Sequence, residues 1–271
     1  MKTIYYYQTF VGLHKLMTHL QDIDVINISS IHFDEDKNGQ KNIYLNDNLP
    51  DDKIFDQMWT ETESCNSQGV TIILMVGGAG GAYENLFKDF HIYYPMLKNL
   101  LESKPFISGV DLDIEEEVTM PQVKMLIRKL KEDFGNSFIL TMAPVSSSMD
   151  SIAGDTFSNY SDFSYKELFC SEEGQMIEWF NVQCYYSFSY NTYKSIINNG
   201  YPPEKIVMGH ESGQFTKETF QKALDAVKKI VKEYPMMGGV YDWEYLNAPP
   251  DTQDPSLWCK LMKRLVNQPH Q

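Results

Sequence analysis

The sequence predicts an α/β protein with a (β/α)8 TIM-barrel fold, on the basis of two observations. Short apolar segments with the character of strands alternate eight times with amphipathic helical segments along the 271 residues. Several strand-like segments, such as 70–76, are almost continuously hydrophobic, as expected for parallel strands covered on both faces. Eight such units in a chain of this length favour one barrel domain over residues 1–271, and a doubly wound open sheet is the alternative.

The predicted elements follow from the spacing of the apolar residues. Helical periodicity places Val123, Leu126 and Leu130 on one stripe, which indicates packing against the sheet. The polar segments 34–52 and 146–162 are predicted to be long loops, the first with a hairpin around 42–45. The predicted strands are 3–8, 24–32, 70–77, 107–115, 137–143, 180–186, 205–210 and 238–243.

Charge and composition restrict the ligands. The formal net charge of −14 argues against nucleic acid and anionic membranes as partners, because phosphate groups are bound by clustered Lys and Arg. A neutral ligand fits better, and the aromatic residues, 13% of the chain, provide rings on which sugar faces stack. The four cysteines are widely spaced, without a CxxC pair, so we expect free thiols, no metal and no cofactor.

The distribution of apolar residues also bears on location. No segment reaches the roughly 18 apolar residues that a membrane-spanning helix needs. The first ten residues lack the apolar region and cleavage site of a secretory signal and are instead predicted to form a strand. We therefore expect no membrane partner, and a location in the cytoplasm if the chain is full length. We also expect the protein to be a monomer.

Three carboxylates close together form the strongest functional signal. Asp111, Asp113 and Glu115 are two residues apart, with an apolar residue in each gap, so on a strand they share one face. Like charges on one face repel and resist burial, and proteins tolerate them mainly where they do chemistry or hold a cation. Carboxylates that step down one strand do not converge as Ca²⁺ ligands do, which favours chemistry, and a solvated edge strand is the remaining alternative.

The barrel prediction also indicates how far below the barrel mouth each of these acids lies. Catalytic groups of such barrels gather at the carboxyl ends of the strands, so Glu115 is predicted to end its strand at the barrel mouth. Asp113 would lie about 7 Å deeper, and Asp111 about as far again. Since the two aspartates are crowded and partly desolvated, we expect one of them to hold a proton at neutral pH.

The residues around these acids resemble a known family. Segment 108–115, SGVDLDIE, is similar to the DGxDxDxE signature of glycoside hydrolase family 18, the chitinases and endo-β-N-acetylglucosaminidases. Three positions depart from the family pattern: Ser108 replaces the first Asp, Met75 replaces a Ser, and Tyr186 replaces an Asp or Asn. Further similar motifs occur in the correct order and span the chain: VGG at 76–78, LTMAP at 140–144, VQCY at 182–185 and GGVYDW at 238–243.

The resemblance implies a set of catalytic residues. The reaction would be a retaining hydrolysis in which the substrate's own 2-acetamido oxygen is the nucleophile. Glu115 would protonate the glycosidic oxygen and later activate water, while Asp113 would orient the acetamido group. Asp111 would share a proton with Asp113, and the Tyr185 hydroxyl would bind the acetamido group.

The resemblance also implies substrate-binding residues. Gln183 would support the acetamido contact, and Trp243 would form the floor beneath the distorted sugar. Gly78 and Met142, in the motifs at 76–78 and 140–144, complete the predicted set.

The substrate implied by the resemblance is an oligosaccharide or polysaccharide of N-acetylglucosamine joined by β-1,4 bonds, such as chitin or a chitooligosaccharide. One alternative is endo-β-N-acetylglucosaminidase action on the chitobiose core of N-glycans. Another is a carbohydrate-binding barrel without catalysis, which the departures at Ser108 and Tyr186 leave open. A phosphate-using barrel enzyme is disfavoured by the absence of a basic phosphate-binding motif.

Overall fold

The computed structural model describes residues 1–150 and 163–266, and in these ranges nine strands form one sheet. Residues 151–162 of the predicted second loop lie outside the described residues. The strands are β1 (Lys2–Tyr7), β2 (Val25–Glu35), β3 (Lys41–Leu45), β4 (Thr71–Gly77), β5 (Ile107–Asp113), β6 (Ile139–Met142), β7 (Trp179–Gln183), β8 (Ile206–Glu211) and β9 (Gly239–Trp243).

Eight of these strands close into a parallel barrel. Neighbours follow the ring order β1-β2-β4-β5-β6-β7-β8-β9, and β1 pairs in parallel with both β2 and β9. This closure confirms the predicted TIM barrel and excludes the open doubly wound sheet, in which the two edge strands would remain unpaired.

Nine α-helices accompany the strands within the described ranges. None of them is long and apolar enough to cross a bilayer. They are α1 (Asp56–Ser67), α2 (Tyr83–Lys88), α3 (Phe90–Ser103), α4 (Met120–Phe134), α5 (Tyr165–Phe169), α6 (Glu172–Gln175), α7 (Tyr190–Asn198), α8 (Gln221–Glu233) and α9 (Ser256–Val266).

Helix α4 illustrates how local sequence defines an element. The Thr119 side chain accepts a hydrogen bond from the Gln122 backbone, and the Gln122 side chain accepts one from the Thr119 backbone. This reciprocal capping satisfies amides that the first turn would otherwise leave unpaired. The predicted stripe of Val123, Leu126 and Leu130 is buried, as expected for a helix that covers the sheet.

The predicted hairpin is present and extends one wall of the barrel. β2 is 11 residues long, and its first part pairs with β1 and β4. Ile31 pairs with both β4 and β3, and beyond it, as far as Glu35, β2 pairs with β3 alone, antiparallel, at the carboxyl end of the barrel. β2 and β3 together, called the hairpin wall below, therefore rise beside the barrel mouth.

Alternating side chains divide the core into two parts. In β4, Ile73 and Met75 point into the barrel, while Leu74 and its alternate neighbours pack against the helices. Aromatic rings fill much of the barrel axis, with the Tyr6 and Tyr241 ring centroids 5.0 Å apart. The apolar residues inside the barrel are Ile4, Tyr6, Val25, Ile73, Met75, Trp179, Val207 and Tyr241.

Candidate active site

A cleft of about 990 Å³ opens at the carboxyl ends of the barrel strands. Its lining comes from the segment that follows β1, from the hairpin wall and from β4, β7 and β9, together with Asp113 and Glu115. Catalytic side chains of TIM barrels lie at this end, so the cleft is the place where the predicted site should assemble.

Asp111 lies beneath the cleft and is fully buried. Its carboxylate accepts hydrogen bonds from the hydroxyls of Tyr6 (2.7 Å) and Thr141 (2.5 Å) and from the Asn181 amide (3.0 Å). Burial raises the pKa of Asp111, and the three donors oppose that rise because they stabilise the charged form. Strands β1, β6 and β7 thus hold this carboxyl group in one fixed orientation.

Asp113 is the next acid toward the mouth and is 5% exposed. Its Oδ1 accepts a hydrogen bond of 3.0 Å from Gln183 Nε2. Burial raises the pKa of Asp113 well above its ordinary value, and the neighbouring charges of Glu115 and Asp111 raise it further. Asp113 has fewer donors than Asp111 and the stronger rise in pKa, so it is the acid of the pair that holds a proton more readily.

Glu115 does not end its strand, contrary to the sequence prediction. β5 stops at Asp113, which is the last residue paired with β4, opposite Gly77. Glu115 follows two residues later, half-buried, and still lines the cleft. Its Oε1 accepts a hydrogen bond of 3.1 Å from Gln183 Nε2, the same nitrogen that binds Asp113. One amide group therefore joins the two acids.

Tyr185 and Trp243 also line the cleft. The Tyr185 hydroxyl accepts a long hydrogen bond of 3.4 Å from Tyr241. Burial raises the pKa of Tyr185 well above its ordinary value, so its hydroxyl keeps a proton to donate. The Trp243 ring lies 5.2 Å from the Tyr6 ring, which supports it from below.

Gly78 forms part of the cleft wall through its backbone. Its φ of +88° suits glycine, and a Cβ there would come within 2.9 Å of the Met75 side chain and 3.5 Å of Asp113 Oδ2. Glycine at this position therefore leaves the surface above Asp113 open. Met75, in the position where the family has Ser, accepts a hydrogen bond from Ser29 at 3.1 Å.

The prediction that Met142 binds substrate is wrong. Met142 is fully buried in the core between the sheet and the helices. Side chains of a strand alternate between its two faces, and Thr141 takes the inward position that reaches Asp111. Met142 therefore points away from the cleft.

Sequence reasoning missed the donors that hold Asp111. Thr141 is the one polar residue of β6, and Asn181 lies between two apolar residues in β7; a polar residue in such a setting is a signal of an inward-facing partner that the sequence does carry. It also missed Glu116, whose carboxylate accepts hydrogen bonds from the backbone amides of Ala82, Tyr83 (2.8 Å) and Glu84 (3.0 Å) at the start of α2. This contact fixes the loop after β4 beside the cleft.

A second group of buried polar residues, centred on His210 of β8, lies outside the cleft. His210 is fully buried; Trp258 donates a hydrogen bond to its Nε2 at 2.8 Å, and Asp242 Oδ1 lies 3.1 Å from its Nδ1. Burial lowers the pKa of His210 to about 4. Because Nε2 accepts the Trp258 hydrogen, the ring is neutral and carries its proton on Nδ1.

Within residues 1–150 and 163–266, no group of three or more His, Cys, Asp or Glu side chains is arranged to hold a metal ion.

The fold and the site define the family. No protein-family model matches the chain. The structure resembles a fungal endo-β-N-acetylglucosaminidase of glycosyl hydrolase family 18, with a TM-score of 0.84, 28% identity and 98% of each chain covered. It also resembles the chitinase ChiC of Aspergillus fumigatus, with a TM-score of 0.79, 30% identity, and 97% of this chain and 98% of that chain covered.

A curated relative adds sequence evidence. Chitinase 2 of Rhizopus oligosporus is 26% identical over 213 residues, which are 69% of this chain and 36% of that protein. The chain thus spans about a third of the length of this relative. The 30% identity with ChiC over nearly the whole of both chains shows that the protein belongs to glycoside hydrolase family 18.

Proposed function

We propose that the protein is a retaining glycoside hydrolase that cleaves β-1,4 bonds between N-acetylglucosamine units, with chitooligosaccharides as substrates. The observation that carries the proposal is the Gln183 amide, which lies 3.0 Å from Asp113 Oδ1 and 3.1 Å from Glu115 Oε1 at the cleft surface. It holds two carboxyl groups of different burial side by side. Paired carboxyl groups in different environments are typical of sites that divide proton transfer from charge stabilisation.

Glu115 is the proton donor in this mechanism. It is half-buried and lines the open cleft, so its carboxyl group can reach a glycosidic oxygen and, later, a water molecule. It protonates the leaving oxygen first and then, as the carboxylate, activates the water that completes hydrolysis. A positioned acid of this kind contributes about 10²–10⁴-fold in rate.

The nucleophile is the acetamido oxygen of the bound sugar. In a retaining enzyme with a protein nucleophile, the second carboxylate faces the acid across the sugar, about 5 Å away. Asp113 is instead bound to the same amide as Glu115 and therefore lies on the same side of the cleft. It orients the acetamido group, and once its shared proton lies on Asp111, the Asp113 carboxylate stabilises the positive charge of the oxazolinium ion that forms.

The remaining residues hold the sugar. The Tyr185 hydroxyl keeps its proton and donates a hydrogen bond to the acetamido group, while Gln183 holds the acids in place. Trp243 lies on β9, which is opposite β5 in the ring of eight strands, and forms the floor beneath the sugar. The substrate therefore lies between Glu115 and Trp243.

A second candidate is hydrolysis of the N-glycan chitobiose core. The TM-score of 0.84 to the fungal endo-β-N-acetylglucosaminidase favours it, while the higher identity of 30% to ChiC favours chitinase action. Both reactions use the same acetamido chemistry. A parallel assay on chitohexaose and on a high-mannose glycoprotein separates them: cleavage of the glycoprotein alone would replace the first proposal with the second.

The mechanism is tested with Glu115→Gln. This variant should lose hydrolysis yet still bind chitooligosaccharides, whereas Glu117→Gln, a change at an exposed carboxylate of the same loop, should keep full activity. Early NMR spectra of the wild-type reaction should show the β-anomer first. Unchanged turnover by Glu115→Gln, or an α-anomeric first product, would exclude the mechanism, and binding without any turnover by the wild type would indicate a carbohydrate-binding barrel.

A further inference from the structure

The order of strands in the ring indicates the direction in which a glycan chain would run along the cleft. β2 and β7 are four positions apart among eight strands, so the hairpin wall and the end of β7 face each other across the barrel mouth. β5 and β9 lie halfway between them on either side. A glycan chain that starts against the hairpin wall and passes between Glu115 and Trp243 must therefore leave over the turn that follows β7.

That turn presents an exposed tyrosine. The Ser187 amide donates a hydrogen bond of 3.0 Å to the Cys184 carbonyl, which makes Tyr186 the third residue of a four-residue turn. The Tyr186 side chain is 79% exposed, and Tyr185, the residue before it, lines the cleft. Tyr186 is thus an aromatic residue at the rim of the mouth, on the side opposite the hairpin wall.

The backbone at this position is unfavourable for tyrosine. Tyr186 has a φ of +59°, in the left-handed region that glycine and asparagine adopt more easily than bulky residues. An exposed ring gains little from burial to compensate for this conformation. Strained residues of this kind concentrate at functional sites, and here the exposed ring is the part of the residue that is available for a ligand.

We propose that the Tyr186 ring is a stacking platform for the sugar units that extend beyond the cleaved bond on the β7 side. An exposed aromatic face suits the apolar face of a pyranose, and a neutral sugar does not need a charged partner there. The inference deepens the proposed function, because it assigns a preference for longer chains to a residue that departs from the family pattern.

The test measures binding apart from catalysis. In the Glu115→Gln background, Tyr186→Asn should weaken chitohexaose binding by about tenfold while chitotriose, short enough to occupy the hairpin side alone, binds as before. Tyr186→Phe retains the ring and should bind like tyrosine. Met236→Asn removes another exposed side chain, 68% exposed, just before β9 at the opposite end of the barrel, and should change nothing.

Stability and turnover make the outcomes distinct. Since asparagine adopts positive φ readily, Tyr186→Asn should leave Tm unchanged or raise it, so weaker binding cannot come from unfolding. Equal chitohexaose affinity in Tyr186→Asn and the parent, or no affinity in either, would overturn the role of Tyr186. If the Glu115→Gln protein still hydrolyses chitohexaose, the proposed mechanism is overturned, and the effect of Tyr186→Asn is then measured as the change in KM for chitohexaose relative to chitotriose.

Discussion

Tyr6 and Asp111 are joined by a hydrogen bond of 2.7 Å across the interior of the barrel. The Tyr6 ring also lies 5.2 Å from the ring of Trp243. A single side chain of β1 therefore contacts both the buried Asp111 and Trp243, which lines the cleft, so it links the two sides between which the substrate is proposed to lie.

Removing this hydroxyl should affect both folding and activity. Tyr6→Phe leaves Asp111 without one of its three donors, and a hydrogen bond to a charged group contributes about 1.5–3 kcal/mol to the free energy of unfolding. We also expect kcat/KM to fall about tenfold, equal to about 1.4 kcal/mol of transition-state stabilisation. Tyr94→Phe is the matched control, because Tyr94 donates to Asp133 at 2.8 Å on the helices α3 and α4. It should lose stability and keep kcat/KM; if both variants retain full activity, Tyr6 has no role in the site.

Substitutions of Gln183 test whether Asp113 and Glu115 need the hydrogen-bond donor that they share. Gln183→Glu has the same shape but cannot donate to Asp113 and Glu115, and it adds a negative charge beside them. We expect kcat of Gln183→Glu to fall by about 10²-fold or more, which is the effect of losing the correct position of a catalytic acid. The kcat of Gln183→Leu should fall less. Steady-state kinetics on chitohexaose distinguish the two. An active Gln183→Glu protein would contradict the view that hydrogen-bond donation by this residue positions the acids.

The raised pKa of Asp113 predicts how the stability of the protein depends on pH. Its pKa is raised in the folded protein, while an unfolded aspartate has a pKa of about 3.9. Between these values the unfolded chain has lost a proton that the folded protein retains, so stability falls as the pH rises through this window. Asp113→Asn replaces the carboxyl group with an amide that does not titrate in this range. The variant should be inactive, more stable at neutral pH and less sensitive to pH above 4 in urea unfolding; a wild-type profile would show that Asp113 is charged in the folded state.

The lowered pKa of His210 predicts that, at acidic pH, the free energy of unfolding changes with pH in the opposite direction. Its folded pKa of about 4 lies below the unfolded value of about 6.5, so between these values the unfolded chain binds the extra proton. The free energy of unfolding should therefore fall by about 3 kcal/mol as the pH drops from 6.5 to 4. His210→Gln should flatten this part of the profile, whatever its effect on overall stability, whereas His91→Gln, at an exposed position, should not. An equally steep profile in His210→Gln would assign the slope to other groups.

Gly77 is predicted to be the most sensitive glycine near the site. A Cβ there would lie 2.2 Å from the Asp113 carbonyl oxygen, and φ is +102°. Gly77→Ala should therefore lower the free energy of unfolding by more than about 3 kcal/mol, because both the clash and the backbone strain must be relieved. Gly69→Ala has a similar φ of +97° with no atom within 4 Å of its Cβ, so it isolates the strain and should lose about 1 kcal/mol. Equal losses in thermal unfolding would show that the close approach to Asp113 is unimportant.

The features that the sequence predicted well depend on local periodicity. The apolar runs identified all eight barrel strands, and the alternation from Asp111 to Asp113 placed both acids inside the barrel. Strand ends are not determined by periodicity, because pairing with a neighbouring strand decides where a strand stops. β5 ends at Asp113 since Gly77 is the last partner that β4 offers, and this pairing cannot be read from the run of acids.

The errors and omissions arise from contacts between distant segments. Met142 belongs to a family-like motif, yet the strand alternation that turns Thr141 inward necessarily turns Met142 outward. Tyr6 lies 105 residues from Asp111 in sequence, so only the closed barrel brings them together. Helix-capping by Glu116 depends on where α2 begins, which the sequence left undefined.

The hairpin wall has a consequence for how this scaffold can change over evolution. Beyond Ile31, β2 pairs with β3 and with no strand of the ring, and the Asn85 side chain donates a further hydrogen bond to the Phe33 carbonyl. Segments joined to a domain in this way can be lengthened, shortened or exchanged between homologues while the ring keeps its register. Recombination or laboratory grafting at this boundary is therefore a route by which one barrel can acquire different glycan preferences with its acids left in place.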